Sequence, residues 1–392
     1  MINKINIKEK IILYSFFIYL FVVLLIQNST LNLNPTYSNF SNTIGNIFMI
    51  SCLVFAIFFN EYTVKNILRV ICLIFLLLVT RLIVGVSPLL DLLIVTLGLQ
   101  SIQLEKILKT FFSAQVISAV LTLILFFLNI IPDRLLIRDG VERSSLGFWH
   151  PNTTGLVLLS IFILTLFISK RKNILLVLII FNFLSYLVFM STNSRTSFIL
   201  IGCSTLIAIF DLIIQGKARL ILKSKWIIPT LIVMFFLGSY IASSIYSSAP
   251  SNLFLNELNT MLSNRISIGS RFIDEYGISL FGNPIIYNSS NFNNQVVIGA
   301  SYWVLDNIYL KYILNYGLVS SILLISYFYV VISKLNSKYI VAFNLYSLVY
   351  LIYGLSEQSA FSITINVFML FGIIVMNPNN NKKFIQEDEV IQ

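Results

Sequence analysis

Long apolar segments alternate with polar connections along the whole chain. One helical crossing of a bilayer needs about 20 consecutive, predominantly apolar residues. Hydrophobic residues make up 57% of the 392 residues and charged residues only 11%, a composition that excludes an ordinary soluble domain. The sequence therefore predicts an all-α, polytopic integral membrane protein that forms a single domain over residues 1–392.

Twelve apolar runs predict about 12 transmembrane helices. The first run lacks a small-residue cleavage site, so we interpret it as a retained helix and not as a signal peptide. Two long outer connections cover residues 132–151 and 246–306, and a polar cytoplasmic tail covers residues 377–392. The predicted spans are residues 11–26, 44–60, 65–84, 89–104, 110–131, 152–169, 174–190, 196–214, 226–245, 307–333, 339–355 and 360–376.

Basic residues collect in every second connection, which predicts the orientation of the chain. With the N-terminus in the cytoplasm, 18 of the 26 lysines and arginines lie on the cytoplasmic side and eight lie outside. This is the bias that the positive-inside rule describes. We therefore expect both termini to be cytoplasmic and both long connections to face outward.

Seven of the eight outer basic residues are arginines. An arginine guanidinium binds a carboxylate or a phosphate through two parallel hydrogen bonds, which a lysine cannot do. The eight residues are Arg81, Arg134, Arg138, Arg143, Arg195, Arg265, Arg271 and Lys311. Their positions predict an anionic ligand at the outer surface, although Arg81 can also pair with Asp91 across the turn at residues 85–88.

The most specific stretch runs from residue 143 to residue 155. His150 is the only histidine of the chain, and Pro151 and Asn152 follow it at the start of a predicted helix. A helix N-terminus favours an anion, and a histidine beside it can act as a base or as a donor to phosphate. The alternative is an interfacial anchor formed by Trp149 and His150. The arginines of the same loop favour a functional role for His150 over the anchor.

Further candidates lie in other outer connections. Arg195 sits in a short, hydroxyl-rich hinge, where snorkelling to lipid headgroups is the alternative explanation. Arg265 and Arg271 lie on a helix predicted over residues 252–276, and Arg271 has an alternative role as an ion-pair partner of Asp274 or Glu275. The expected roles of these arginines therefore remain open between ligand binding and structure.

Two carboxylates complete the set of candidates. Asp306 and Asn307 open a predicted span as a helix cap. Glu357 lies in a four-residue outer turn without an obvious partner in the sequence. A carboxylate at this depth is energetically unfavourable, which favours a functional role for it.

Several classes of site have no support in the sequence. The three cysteines all lie in apolar runs, which argues against a disulfide framework or a metal cluster. There is no metal-ligand spacing, no Gly-rich phosphate loop, and no basic tract interleaved with aromatic residues. We therefore expect no metal, no cofactor and no nucleic-acid partner.

In order along the chain, these motifs resemble the Wzy-type polysaccharide polymerases of the O-antigen ligase/polymerase superfamily. The resemblance covers roughly residues 65–372. Ligases of the superfamily carry a key histidine in the large outer loop, which this chain lacks, so the polymerases are the better match. The matching positions are Arg143, Gly147, Phe148, His150, Pro151, Asn152, Gly155, Ser194, Arg195, Thr196, Gly269, Ser270, Arg271, Leu280, Phe281, Gly282, Asp306, Asn307, Tyr309, Leu310, Gly317 and Glu357.

The resemblance implies an enzyme at the outer face of the bacterial cytoplasmic membrane. It would join oligosaccharide repeats carried on undecaprenyl pyrophosphate, which serve as both donor and acceptor, into capsule, O-antigen or exopolysaccharide. Membrane lipid, a chain-length regulator and a flippase are the implied partners.

The resemblance also implies roles for the candidate residues. Arg195 and Arg271 would contact the pyrophosphate with help from Arg143 or Arg265. His150 or Glu357 would be the base. The remaining substrate-binding candidates are Arg138, Asn152 and Asp306.

Two alternative functions remain. A ligase would move finished glycan to another acceptor. A flippase, from a different class, would transport the lipid-linked oligosaccharide, but transporters place their charges near the bilayer midplane. Here the charges lie in outer loops and at outer helix ends, which favours the enzyme.

Overall fold

The computed structural model describes residues 2–60, 62–138, 140–213, 222–248, 252–287 and 304–376. The side chains of residues 2–6, 138, 337 and 338 are outside this description. So are Lys217, Arg219, Lys382 and Lys383 of the orientation argument, together with the predicted tail at residues 377–392.

The described residues are helical almost throughout, which confirms the predicted all-α class. One two-stranded hairpin, β1 (Leu136–Arg138) with β2 (Val141–Arg143), interrupts the helices. The helices are α1 (Ile2–Gln27), α2 (Pro35–Phe59), α3 (Val64–Val84), α4 (Pro88–Leu99), α5 (Leu104–Phe127), α6 (Pro151–Ile168), α7 (Ile174–Thr192), α8 (Arg195–Ile213), α9 (Ile227–Ser248), α10 (Leu253–Met261), α11 (Arg265–Tyr276), α12 (Ile308–Lys311), α13 (Gly317–Lys334), α14 (Ser337–Tyr353) and α15 (Gly372–Met376).

Nine helical segments in the described residues are long and apolar enough to cross a bilayer, so the chain is a multi-pass membrane protein. One of these segments, Ile308–Lys334, consists of α12 and α13 joined by a π-helical turn, Tyr312–Tyr316. The other three predicted spans are shorter apolar helices, Pro88–Leu99, Tyr339–Tyr353 and Val367–Met376. At about 1.5 Å per residue, such helices fall short of a hydrocarbon core about 30 Å thick.

The short helices are buried inside the bundle. Most side chains of α4 are buried, as are those of the 3-10 turn Val367–Phe371 that precedes α15. Segments with little lipid contact need not match the thickness of the bilayer. Apolar content alone does not distinguish such a buried element from a full span, which explains the difference from the prediction.

The connections predicted to share a side of the membrane do meet at one end of the bundle. The Trp149 backbone N–H donates to the Asn28 carbonyl at 2.8 Å, and the Asn152 amide donates to Glu357 at 2.7 Å. At the opposite end, Lys106 pairs with Glu9 at 2.8 Å. The connections therefore alternate between the two ends of the bundle as predicted. Which end faces outward stays a prediction.

The predicted pairing of Arg81 with Asp91 is confirmed. The Arg81 Nη1 and Asp91 Oδ1 atoms are 2.9 Å apart across the turn between α3 and α4. Gly85 ends α3 with a φ of 85°, a left-handed conformation that glycine adopts without strain. The ion pair explains why these two charges are tolerated beside apolar helices.

The single helix predicted over residues 252–276 is wrong. The chain breaks after Met261, where Ser263 and Asn264 adopt positive φ angles of 55° and 66°, and α11 begins at Arg265. The Asn259 side-chain oxygen accepts hydrogen bonds from the backbone N–H groups of Ile266 and Ser267 at 3.1 and 3.0 Å. A side chain thus satisfies the donors that the break exposes, a cap that helical periodicity does not reveal.

A non-helical stretch, residues 362–366, runs through the interior of the bundle. The Ser160 hydroxyl donates to the Ile365 carbonyl at 2.6 Å, and the Gln115 amide donates to the Thr364 carbonyl at 3.2 Å. The Asn366 amide donates to the Ala360 carbonyl at 2.9 Å. Irregular backbone at membrane depth requires such partners, because lipid offers none.

Candidate functional site

The loop between α5 and α6 is held in a fixed shape by hydrogen bonds to the Asp133 carboxylate. Asp133 accepts hydrogen bonds from the Ser144 hydroxyl at 2.6 Å and from the Ser145 hydroxyl at 2.9 Å. The Thr30 backbone N–H donates to the Gly147 carbonyl at 3.0 Å and so fastens the loop to the end of α1. These bonds position the polar residues at both ends of the β1–β2 hairpin.

A continuous chain of hydrogen bonds links Arg143, Asn152 and Glu357. The Arg143 Nη2 donates to the Asn152 Oδ1 at 2.7 Å, and the Asn152 Nδ2 donates to the Glu357 Oε1 at 2.7 Å. The Arg143 Nε donates to the Thr192 carbonyl at 2.7 Å. Arg143 is only 3% exposed, so this guanidinium is a fixed part of the site.

His150 caps the N-terminus of α6. Its Nδ1 accepts a hydrogen bond from the Asn152 backbone N–H at 3.0 Å. A neutral imidazole that accepts at Nδ1 carries its proton on Nε2. In this tautomer the other ring nitrogen of His150 is a donor and not a base.

Arg134 and Trp149 form a pair that the sequence analysis did not select as a site. The Arg134 guanidinium lies 4.9 Å from the centre of the Trp149 ring and donates to the Trp149 carbonyl at 3.1 Å. Stacking fixes the plane of the guanidinium. The only signal in the sequence was that Arg134 shares a loop with Arg143 and His150.

Asp306, at the end of the longest loop, lies close to Arg265, at the start of α11. The Arg265 Nη2 lies 3.6 Å from the Asp306 Oδ2. The predicted cap at the start of α12 is confirmed for Asn307, whose Oδ1 accepts from the Tyr309 and Leu310 backbone N–H groups at 3.0 and 3.2 Å. Asp306 therefore stands directly before a capped helix start.

Burial is the largest influence on the Glu357 carboxyl, and it raises the pKa of this group to about 7. The charge of Asp306 acts in the same direction. Arg265, the hydrogen bond from Asn152 and Arg143 oppose the increase. A carboxyl with a pKa near neutrality can exchange a proton at physiological pH, which suits a general base.

These groups surround one large cavity of about 1610 Å³. Small-molecule pockets usually measure about 300–1,000 Å³, so this cavity has room for a larger ligand. It lies between the C-terminal end of α1 and the facing side of α2 on one side and the α5–α6 loop and the Glu357 turn on the other. The predicted site residues that line it are Arg143, His150, Asn152, Asp306 and Glu357, and the added pair is Arg134 with Trp149.

Arg195 and Arg271 lie outside the lining of this cavity. Both side chains are exposed, Arg195 at the start of α8 and Arg271 on α11. Among the described residues, no ion pair joins Arg271 to Asp274, which accepts instead from the Ser247 hydroxyl at 3.0 Å. The side chain of Arg138 belongs to the part of the chain that the structure does not describe.

Lys311, the one lysine predicted to lie on the outer side, has a partner next to Glu357. Its Nζ donates to the Gln358 side-chain oxygen and lies 5.1 Å from the centre of the Tyr287 ring. Gln358 and Tyr287 both line the cavity. No separate role for this lysine is predicted from the sequence.

Comparison with known proteins returns no match among family models, curated proteins or solved structures.

Proposed function

We propose that this protein polymerises oligosaccharide repeats carried on undecaprenyl pyrophosphate, at the outer face of the bacterial cytoplasmic membrane. The single observation that carries this proposal is the chain from Arg143 through Asn152 to Glu357 at the edge of a 1610 Å³ cavity. It joins a fixed cation to a carboxyl with a raised pKa at the end of the bundle that we assign to the outside. A glycosyl transfer from a pyrophosphate carrier requires both groups.

The proposed reaction needs one proton acceptor and several hydrogen-bond donors. An acceptor hydroxyl oxygen attacks the anomeric carbon of the donor sugar, and the bond from that carbon to the pyrophosphate oxygen breaks. Glu357 takes the hydroxyl proton, and the pyrophosphate leaves with the electron pair. Donors that are already fixed in place stabilise the negative charge that grows on the leaving group.

Arg134 and Arg143 are the cations that line the cavity among the described residues, apart from Arg81, which is paired with Asp91. We therefore assign the pyrophosphate contact to Arg134 and Arg143, in place of Arg195 and Arg271. The His150 Nε2–H adds a neutral donor beside them, while Arg265 holds Asp306. Glu357 is the base in this proposal, because the cap hydrogen bond leaves His150 in the donor tautomer.

The test is reconstitution of the purified protein in lipid nanodiscs with lipid-linked repeat units, followed by gel analysis of the glycan. A polymerase gives a ladder of lengthening glycan. A ligase gives transfer only when a second acceptor is added, and a flippase gives no change in glycan length.

A matched pair of substitutions ties the ladder to the site. Arg143→Lys keeps the charge but loses the fork that spans Thr192 and Asn152, so the ladder should weaken strongly. Arg69→Lys, at an exposed position of α3 that we assign to the cytoplasmic end, should keep it. Equal ladders from both variants would contradict the role of Arg143. Arg195→Lys and Arg271→Lys should lose less activity than Arg143→Lys.

A further inference from the structure

The outer half of α2 presents a polar stripe to the cavity. Ser41, Asn42, Gly45 and Asn46 line the cavity at helical spacing, one turn after another. Towards the inner end of the same stripe, α2 presents only apolar side chains, from Met49 to Leu53. The polar lining groups of α2 are therefore confined to its N-terminal half.

The Ser41 hydroxyl provides an independent sign that this wall binds a ligand. The Ser41 side chain is fully buried, lines the cavity, and its oxygen has no hydrogen-bond partner. The Tyr312 hydroxyl, also buried and lining the cavity, has none either. Buried hydroxyls without partners are destabilising, and buried polar groups usually have one. A ligand that displaces the neighbouring side chains as it enters the cavity would supply these missing partners.

The chemistry of the α2 wall differs from that of the opposite wall. Gln27 and Asn28, at the end of α1, extend the wall with further amides. The Gln27 and Asn42 amides are 3.4 Å apart and hold each other only weakly. Amides and hydroxyls both donate and accept hydrogen bonds, as sugar hydroxyls do, whereas phosphate calls for cations. The wall is thus suited to an uncharged, polyhydroxylated ligand.

We propose that the outer half of α2 binds the saccharide part of the lipid-linked repeat through Ser41, Asn42 and Asn46. This inference rests on the proposed function and adds a recognition surface to it. The cavity then has two poles. The α5–α6 loop binds the pyrophosphate, with the base Glu357 beside it, and α2 binds the saccharide.

The experiment measures binding of two separate probes by calorimetry on the full chain in nanodiscs. The first probe is the repeat oligosaccharide released from its lipid by mild acid, and the second is undecaprenyl pyrophosphate. The variants are Ser41→Ala, Asn42→Ala and Asn46→Ala. The matched control is Asn39→Ala, an exposed amide of α2 outside the cavity lining.

Each variant should bind the oligosaccharide about 3- to 10-fold more weakly, as expected for the loss of one hydrogen bond. Undecaprenyl pyrophosphate should bind as it does to the wild type, and Asn39→Ala should match the wild type with both probes. The melting temperature of Ser41→Ala should stay equal or rise, because the substitution removes an unsatisfied hydroxyl. Weaker binding at unchanged stability separates recognition from folding.

Unchanged oligosaccharide affinity in all three variants would overturn the inference, and so would a wild-type protein that binds only undecaprenyl pyrophosphate. Either result is compatible with a glycan ladder in the reconstitution assay, so the proposed function would stand. Conversely, a wild-type protein that binds the oligosaccharide through α2 but produces no ladder would overturn the polymerase and leave the saccharide surface in place.

Discussion

The Glu357 carboxyl is held between opposing influences. Burial and Asp306 raise its pKa, while Arg265, Asn152 and Arg143 lower it. The result is a group that changes its charge near neutral pH. Its environment, more than its position in the sequence, makes it suitable as a base.

Glu357→Gln should reduce turnover by about 10²–10⁴-fold, the usual contribution of a general base. The amide keeps an oxygen that accepts from Asn152 but does not take up the proton. In the wild type, the rate of glycan elongation should rise with pH through about 7, because the base must be deprotonated. Measurement of elongation rates in buffers across this range checks both statements. Wild-type turnover in the variant would remove Glu357 from the chemistry.

The same pKa shift predicts the pH dependence of stability. A carboxyl with a raised pKa in the folded state is well tolerated while protonated. This advantage is lost as the pH rises through about 7. Glu357→Gln should therefore melt at a higher temperature than the wild type in alkaline buffer and at a similar temperature in acid. A melting difference that does not depend on pH would contradict the shift.

His150→Asn distinguishes the role of His150 as the N-cap of α6 from its proposed role as an Nε2–H donor to the substrate. Asparagine is a good N-cap, so the variant should keep its abundance and melting temperature while it loses the Nε2–H donor. His150→Ala should also lose about 0.5–2 kcal/mol of stability through the missing cap. Elongation rates and thermal melting of both variants make the comparison. If His150→Asn elongates glycan normally, the histidine is a cap alone.

Arg143, Asn152 and Glu357 are each predicted from the sequence as site residues, but their contact is not, and Glu357 has no predicted partner. The reason is distance along the chain. Asn152 and Glu357 are 205 positions apart, so no local spacing shows that they meet. Arg195 and Arg271 were selected by residue type and predicted side of the membrane, which do not show whether a side chain points into a cavity.

At the scale of elements, the π-helical turn between α12 and α13 packs tightly against residues 279–283 of the long loop. The Asn283 backbone N–H donates to the Leu314 carbonyl, and the Leu318 backbone N–H donates to the Ser279 carbonyl at 3.0 Å. Gly282 has a φ of 96°, and a Cβ there would lie 2.0 Å from the Asn315 carbonyl oxygen. Loop and turn thus form one packed unit.

Gly282→Ala should destabilise the protein more than Gly277→Ala. Both glycines have positive φ angles, and a side chain in such a sparsely populated conformation costs on the order of 1–3 kcal/mol. A Cβ at Gly277 meets nothing within 4 Å, whereas at Gly282 it meets backbone. Thermal melting of the two variants in detergent measures the difference. Equal melting temperatures would mean that the loop does not pack on the π-turn.

Hydropathy predicted most elements well, since a long apolar run is a local signal. It overestimated the length of the buried helix α4 and of the last apolar run, and helical periodicity missed the break after Met261, because tertiary packing decides all three. In each case the determining contacts come from other helices or from a side-chain cap.

At the scale of the whole molecule, the predicted orientation has a direct test. In a background without the three native cysteines, Gly140→Cys in the exposed hairpin turn should react with a membrane-impermeant maleimide in intact cells. Lys172→Cys, at the opposite end of α6, should react only after permeabilisation. The reverse pattern would place the whole site on the cytoplasmic side and remove the proposed function.

The hydrogen bond between Asn152 and Glu357 also sets an order of events during synthesis. The two residues are 205 positions apart, which corresponds to roughly 10–40 s at a translation rate of about 5–20 residues per second. Arg143 and Asn152 therefore reach the membrane well before the carboxylate that completes their chain. In the proposed mechanism, a nascent polypeptide holds the arginines of the site before it holds the base, Glu357, so it becomes active only when its last helices are in place.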